Sequence, residues 1–403
     1  MTRQIALFSM LPALALHAQG DCPYAEYDRF DTLVETHAVP FGANTPVLGG
    51  PAQTLFMDVY EPGGDTTAHR PVVVITYGGS FIAGSRADVA PLCRTFARLG
   101  YVAVAPDYRT GFFLPNEFTT SLAVMRGDHD MRACVRYLRR SVAEMGDPYR
   151  IDTARIVQGG ISAGAISAIH ATYLDKSIEV PPILYGDTAD LGGIEGNSGN
   201  PGYSSAVAAC FSFSGAIGDT SWIETGDVPL CSLHEVGDEV VPYGTQEVNV
   251  FGIPTGLIAS GSHDIHLRMD HVGVQNCFLS YPGADHVGYL NYDEENAVDL
   301  VVQFCSRVVC GEPVGCGTLY ASVPDHADPE RIELAPNPAD IFTTIRSDRP
   351  GTFVLMDQQG RILREVEVGP GADRISTSDL ASGLYFVRSM GSSKVSGKLL
   401  VVH

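Results

Sequence analysis

Through most of the chain, short apolar runs alternate with segments of helical spacing. Gln53–Tyr60 (QTLFMDVY) alternates apolar and polar positions and predicts a strand, while Arg70–Tyr77 (RPVVVITY) and Tyr101–Ala105 (YVAVA) are apolar at successive positions. A strand apolar on both faces belongs at the centre of a sheet covered by helices on each side. Pro91–Leu99 has the spacing of a helix, and Asp130–Val142 reads as an amphipathic helix with Asp130 as N-cap. Arg155–Gln158 predicts a strand running into a small-residue helix, Ala163–Leu174, and Ala206–Phe213, Val228–Val236 and Asn276–Tyr281 predict the later strands. Strands alternating with helices give an α/β class with a mostly parallel central sheet and helices on both faces.

The pattern changes after Cys310. Cys310–Glu333 is rich in Gly, Pro and charged residues, the composition of a linker. Beyond it, Phe342–Arg346, Gly351–Met356, Ile362–Val368 and Leu384–Arg388 form short alternating runs broken by DQQG and GPG turns, which predicts a small antiparallel β-sandwich. Residues 184–205, rich in Gly, Asn and Ser, read as a long surface excursion, either a lid or a decoration. At the front, Arg3, the apolar run Ile5–Leu16 and the small residue Ala18 have the layout of a secretory signal peptide, with cleavage expected near Ala18–Gln19. The expected organisation is a leader at 1–18, an α/β catalytic domain at 19–310, a linker at 311–332 and a β-sandwich at 333–403.

Composition narrows the partners. The chain carries 26 Lys and Arg against 47 Asp and Glu, a net charge of -21, which opposes binding to nucleic acid or anionic membranes. After the leader no apolar stretch approaches the roughly 18 residues of a membrane-spanning helix. Nine cysteines in an exported chain predict one or more disulfides, and the odd count leaves at least one thiol unpaired within a monomer. Cys305, Cys310 and Cys316 cluster where a clip would fasten the exit from the main domain.

The chemistry concentrates at Gly160-Ile161-Ser162-Ala163-Gly164, between a predicted strand and a predicted helix. Glycines on either side permit a tight turn that lifts the serine oxygen above the sheet, and the helix N-terminus favours developing negative charge. A serine hydroxyl needs a base to take its proton. His286, in the loop after the last core strand, is placed for that; its rivals are His234, within or at the end of its strand, and His263, His266 and His271, which precede the Asn276–Tyr281 strand and are expected in packing or surface roles. Asp238, after the Val228–Val236 strand, is placed to orient the histidine, ahead of Glu239, Asp264 and the too-local Asp285. Acyl transfer also needs oxyanion donors, and Tyr77-Gly78-Gly79-Ser80-Phe81 follows a central strand where backbone amides can supply them. This chemistry calls for no metal or organic cofactor.

At these residues Arg70–His286 resembles the esterase/lipase branch of the α/β-hydrolases, bacterial feruloyl-esterase-like members included, and the order Ser162, Asp238, His286 is the one those proteins use. The family's HGGxF motif corresponds to Tyr77–Phe81, its nucleophile elbow to Gly160–Gly164 and its HGxxDxxVPY motif to His234–Tyr243. The resemblance implies the amides of Gly79, Ser80 and Ala163 as oxyanion donors, and Asp107-Tyr108-Arg109 as a structural DYR segment. Two positions depart from it: Tyr77 replaces a histidine that braces the oxyanion loop, and Glu235 replaces a glycine.

Ala335-Pro-Asn-Pro-Ala-Asp340, with Asp357-Gln-Gln-Gly and Leu380–Arg388, is similar to the C-terminal sorting domain of the type IX secretion system over nearly all of 333–403. That implies the secretion machinery as partner, removal of the tail, and a secreted or cell-surface enzyme. The function expected is a serine hydrolase cleaving carboxylic esters through an acyl-enzyme, a simple carboxylesterase first and a feruloyl or acetyl-xylan esterase second. The competing classes are a metal-dependent hydrolase built on His263, Asp264, His266, Asp270 and His271, and a non-catalytic binding protein that keeps the fold.

Overall fold

Every residue of Arg70–Thr76 (β3) and of Val102–Pro106 (β4) is buried, which requires cover on both faces of the sheet they share. The computed structural model describes residues 22–27, 29–112, 114–186, 191–250, 252–321, 332–347, 351–357, 361–369, 371–389 and 396–403. The leader expected at 1–18 lies outside them. The chain divides into two compact units, Met1–Ala321 and Ser322–His403.

Among the described residues of the first unit, nine strands form one sheet. The others are Leu33–Asn44 (β1), Gln53–Pro62 (β2), Ile151–Ile161 (β5), Ala209–Phe213 (β6), Leu230–Glu235 (β8), Asn276–Tyr281 (β11) and Gly317–Tyr320 (β12), with Ala216–Ile217 (β7) outside it. Their spatial order is β1-β2-β4-β3-β5-β6-β8-β11-β12; β1 and β2 run antiparallel and all pairs from β4 onward are parallel. Two apolar clusters cover the two faces: Phe96, Phe211 and Phe213 belong to one, Met131, Leu138 and Ile169 to the other. This is the sheet order and layering of the α/β-hydrolase fold.

The structure departs from the sequence reading at several elements. The helix expected from Asp130 runs from Glu117 to Glu144 and is capped by Asn116, whose side chain accepts from the Thr119 amide at 3.0 Å. Asp130 sits fully buried inside it, accepting from the Arg109 amide at 2.7 Å and guanidinium at 2.9 Å. A buried aspartate with a basic partner needs no terminus to satisfy it. Strand β12 lies in the stretch read as linker and pairs in parallel with β11, so the first unit extends to Ala321 and not to Cys310. A hairpin, Thr245–Val250 (β9) and Ile253–Gly261 (β10), and a helix, Glu294–Cys310, add to the elements expected from the sequence.

Two disulfides close this unit: Cys22–Cys310 ties its first described residue to the end of the Glu294–Cys310 helix, and Cys277–Cys316 staples the exit segment to β11. Cys93, Cys134, Cys210, Cys231 and Cys305 are buried free thiols. The described part of 184–205 is a clasp and lines no part of the cavity described below: Ser198 O accepts from Ala43 N, the Asn200 amide donates to Phe41 O, and Arg136 donates to Gly199 O.

Among its described residues the second unit forms two antiparallel sheets, Glu333–Ala335 (β13), Phe342–Ser347 (β14) and Gly371–Ser376 (β17) in one, and Ile362–Val368 (β16), Gly351–Met356 (β15), Gly383–Ser389 (β18) and Ser396–Val401 (β19) in the other. They close over Ile345, Leu355, Val387 and Leu399, all fully buried, as a sandwich does. The PNP segment is pinned to the last strand by Asn337, which donates to Lys398 O at 2.7 Å and accepts from Leu400 N at 2.9 Å.

Candidate active site

Strand β5 ends in the Gly160–Gly164 turn, and the Ala163–Tyr173 helix begins one residue after Ser162. Ser162 itself takes φ 55° and ψ -120°, a conformation costly for a non-glycine residue and stored where the surrounding structure fixes it. Both flanking glycines are forced by contact. A Cβ on Gly164 would lie 2.2 Å from Thr76 O and 2.5 Å from Tyr77 O, and one on Gly160 would lie 2.6 Å from Thr76 O. The elbow is thus wedged against the end of β3.

Ser162 Oγ lies 2.7 Å from His286 Nε2, and His286 Nδ1 lies 2.7 Å from Asp238 Oδ2. A carboxylate can only accept, so Nδ1 carries the imidazole proton and Nε2 is left to accept from the serine hydroxyl. Asp238 is fully buried at its side chain, and its Oδ1 accepts the amides of Val240 and Val241 at 2.8 and 2.9 Å. Burial alone would raise its pKa; the hydrogen bonds from His234 and His286 and the Val241 amide outweigh it and hold the carboxyl well below the usual range.

His234, a rival for the base in the sequence, has a different place. It is fully buried, with Nε2 3.3 Å from Asp238 Oδ2 and 3.2 Å from Val241 O, and Nδ1 2.9 Å from Ser262 Oγ. Two acceptors at Nε2 put its proton there, so it donates toward the same carboxylate that orients His286. The four-residue spacing His234 to Asp238 was the available signal.

The oxyanion loop is held by aromatic packing. Tyr77 is buried and stacks on Tyr108 at 4.6 Å, and the Tyr108 hydroxyl donates to Tyr77 O at 3.3 Å. Asp107 accepts from Phe56 N and Arg86, and Arg109 pairs with Asp130, so every member of the DYR segment makes structural bonds. Gly79, at φ 120°, closes the turn by accepting the amides of Ile82 and Ala83. No hydrogen bond among the described residues uses the amides of Gly79, Ser80 or Ala163. Ser80 and Ala163 line the cavity into which Ser162 and His286 open.

The other sequence candidates lie elsewhere in this unit. Glu239 is exposed on the cavity rim. His263 pairs with Asp264 at 2.7 Å, while His266 bonds Asn276 at 2.9 Å and stacks on Phe278. Among the described residues no three His, Cys, Asp or Glu side chains are grouped to hold a metal ion.

The cavity measures about 1150 Å³ and is mostly apolar, with Phe81, Val124, Ile166, Ile217 and Trp222 in its wall. The hairpin β9–β10 contributes Val248, Val250, Leu257 and Ala259. It follows Asp238 in sequence, and of the two readings of 184–205 the lid is not the one the described residues take.

The BD-FAE family model matches residues 57–200, which contain the oxyanion loop and the elbow, and the secretion system C-terminal sorting domain matches residues 333–403. Lipase 1 of Geotrichum candidum is 31% identical over 124 residues, covering 29% of this chain and 21% of its own. A non-reducing polyketide synthase of Emericella nidulans is 30% identical over 133 residues, 32% of this chain and 5% of its own. The chain therefore spans less than a quarter of the length of these curated relatives. Among solved structures, the butyrate-bound Est2 esterase of Thermogutta terrifontis is similar at 20% identity and a TM-score of 0.46, over 64% of this chain and 90% of that one. The same esterase phosphoramylated by tabun is similar at 22% identity and the same TM-score, over 66% and 95%.

Residues 57–200 match the BD-FAE family model, and the strand order of the first unit, with its strand–turn–helix elbow at Ser162, is that of the α/β-hydrolase fold. Residues 333–403 are a C-terminal sorting domain, which directs the protein through type IX secretion to the cell surface or beyond it.

Proposed function

We propose that the protein hydrolyses carboxylic esters through an acyl-enzyme, with Ser162 as nucleophile, His286 as general base and acid, and Asp238 orienting the histidine. The observation that carries this reading is the unbroken chain of two 2.7 Å contacts from Ser162 Oγ through His286 to the buried Asp238. Ser162 Oγ attacks the acyl carbon while its proton passes to His286 Nε2. The carbonyl oxygen gains the negative charge and is received by the amides of Gly79, Ser80 and Ala163, where one donor is worth about 10²–10³ in rate. His286 returns the proton to the leaving alcohol; a water then adds to the acyl carbon, gives its proton to His286, and the acid departs as Ser162 is reprotonated.

The size and apolar wall of the cavity favour acyl groups larger than acetyl, which leaves a large part of the binding energy unused. The test is turnover of p-nitrophenyl acetate, butyrate and octanoate by the secreted protein and by Ser162→Ala. Turnover rising from acetate to the longer esters and lost with the serine is expected; equal turnover by the variant would reject the assignment.

A further inference from the structure

Ser162, Ile166, His170 and Leu174 are spaced four apart along the helix that begins at Ala163, so they share one stripe, and all four line the cavity. Three of them fit a nucleophile above an apolar floor. His170 does not: it is 6% exposed, with Trp222 edge-on at 5.5 Å between ring centres. Its Nδ1 lies 2.8 Å from Ile166 O, a carbonyl that can only accept, so Nδ1 carries the proton and Nε2 is a bare acceptor. No hydrogen bond among the described residues reaches that nitrogen. Burial, with Arg132 adding to it, pushes the imidazole pKa down to about 4 against the Ile166 hydrogen bond, so the ring is neutral and the acceptor stays available.

Resting on the ester-hydrolase reading, we propose that His170 Nε2 reads a hydroxyl at the far end of the substrate's acyl arm. The arm lying along this stripe is the acyl one for a physical reason. The alcohol must leave beside His286, whose side chain is 19% exposed, whereas His170, Leu174 and Trp222 at the other end are buried. The reach is set by the helix: eight residues from Ser162 to His170 rise about 12 Å, and subtracting a hydrogen bond of about 3 Å leaves an arm of about 9 Å from carbonyl carbon to hydroxyl oxygen. A 7-hydroxyheptanoyl chain and a 3-(4-hydroxyphenyl)propanoyl group both span roughly 8–9 Å by standard bond lengths. The shared chemistry is a terminal hydroxyl that donates. A methoxy group cannot donate and should be rejected.

The experiment compares kcat/KM within matched pairs of p-nitrophenyl esters: 7-hydroxyheptanoate with octanoate, and 3-(4-hydroxyphenyl)propanoate with its phenyl and 4-methoxyphenyl counterparts. A pocket without an acceptor disfavours the hydroxyl, because desolvating it costs free energy. Wild type is expected to prefer the hydroxylated member of at least one pair by about fivefold or more, and the pair that shows it identifies the arm as aliphatic or aromatic. His170→Phe should invert that preference and His170→Gln, which keeps an acceptor, should restore part of it. Each ratio is taken within one protein, so a loss of folded enzyme cancels. Turnover of octanoate without a hydroxyl preference, or a preference that survives His170→Phe, overturns this inference while leaving the esterase reading intact. Turnover of none of the esters would instead overturn the reading on which it rests.

Discussion

Replacing His234 by Phe keeps an aromatic ring in a fully buried site and removes one donor from the Asp238 carboxylate. His234 Nε2 divides its proton between Asp238 Oδ2 at 3.3 Å and Val241 O at 3.2 Å, so its bond to the carboxylate belongs at the lower end of the range for charged partners, about 1.5 kcal/mol. The single variant also strips Val241 O of a donor and Ser262 of an acceptor, so its raw destabilisation exceeds that figure. A double-mutant cycle with Asp238→Asn, read by urea unfolding at pH 8, isolates the pair, and a coupling of about 1.5 kcal/mol is expected. The sign of the pH effect follows from the depressed carboxyl. Its contribution to stability is present above the unfolded aspartate value and lost as pH falls through the lower folded value. Removing His234 raises the folded value, so acid unfolding should begin at a higher pH in the variant. Additivity within about 0.3 kcal/mol, together with an unmoved acid transition, would refute the idea that His234 braces the carboxylate.

Gly164→Ala drives a Cβ to 2.2 Å from Thr76 O, a backbone atom that cannot step aside, and should cost about 3 kcal/mol or more in denaturant unfolding; Gly186→Ala, with nothing within 4 Å, should be near neutral, and equal effects would contradict the wedged elbow. Glu235 is buried, with Oε1 accepting from the Tyr292 hydroxyl at 2.8 Å and Oε2 without a partner among the described residues. Burial raises its pKa against the Tyr292 bond, and Asp285 and Asp238 raise it further. The folded state therefore holds that proton more tightly than the unfolded one, and stability falls as pH rises from the unfolded carboxyl value through the folded one. Glu235→Gln should accordingly melt higher than wild type at pH 8, with the gain vanishing toward pH 4; a constant offset across that range would show that the carboxyl charge is not the cause.

The sequence carried the centre of the fold and the reacting atoms because both leave local marks. Central strands are buried at every position, with unbroken apolar runs at 71–75 and 102–106, and Ser162 sits in a turn whose glycines are required by contact with β3. What it did not carry depends on neighbours distant in the chain. Strand β1 is an antiparallel edge with little burial, so its side chains lack a clean alternation, and β12 hides in a composition typical of linkers. In the sequence Asp130 resembles the cap of a shorter helix; only its pairing with Arg109, 21 residues earlier, makes it an interior residue of the long one. The roles of His234 and His170 depend on distant neighbours for the same reason. The first gains meaning only from Asp238 beside it, the second only from a cavity walled partly by the β9–β10 hairpin.

The central claim is that ester turnover runs through Ser162, and the most direct measurement is covalent labelling with a fluorophosphonate ester, followed by peptide mass spectrometry and residual turnover of p-nitrophenyl butyrate. The account predicts one label per chain, on the peptide containing Ser162, with turnover lost in step with labelling and no label in Ser162→Ala. Turnover that persists after Ser162 is fully labelled, or that survives in Ser162→Ala, would contradict it.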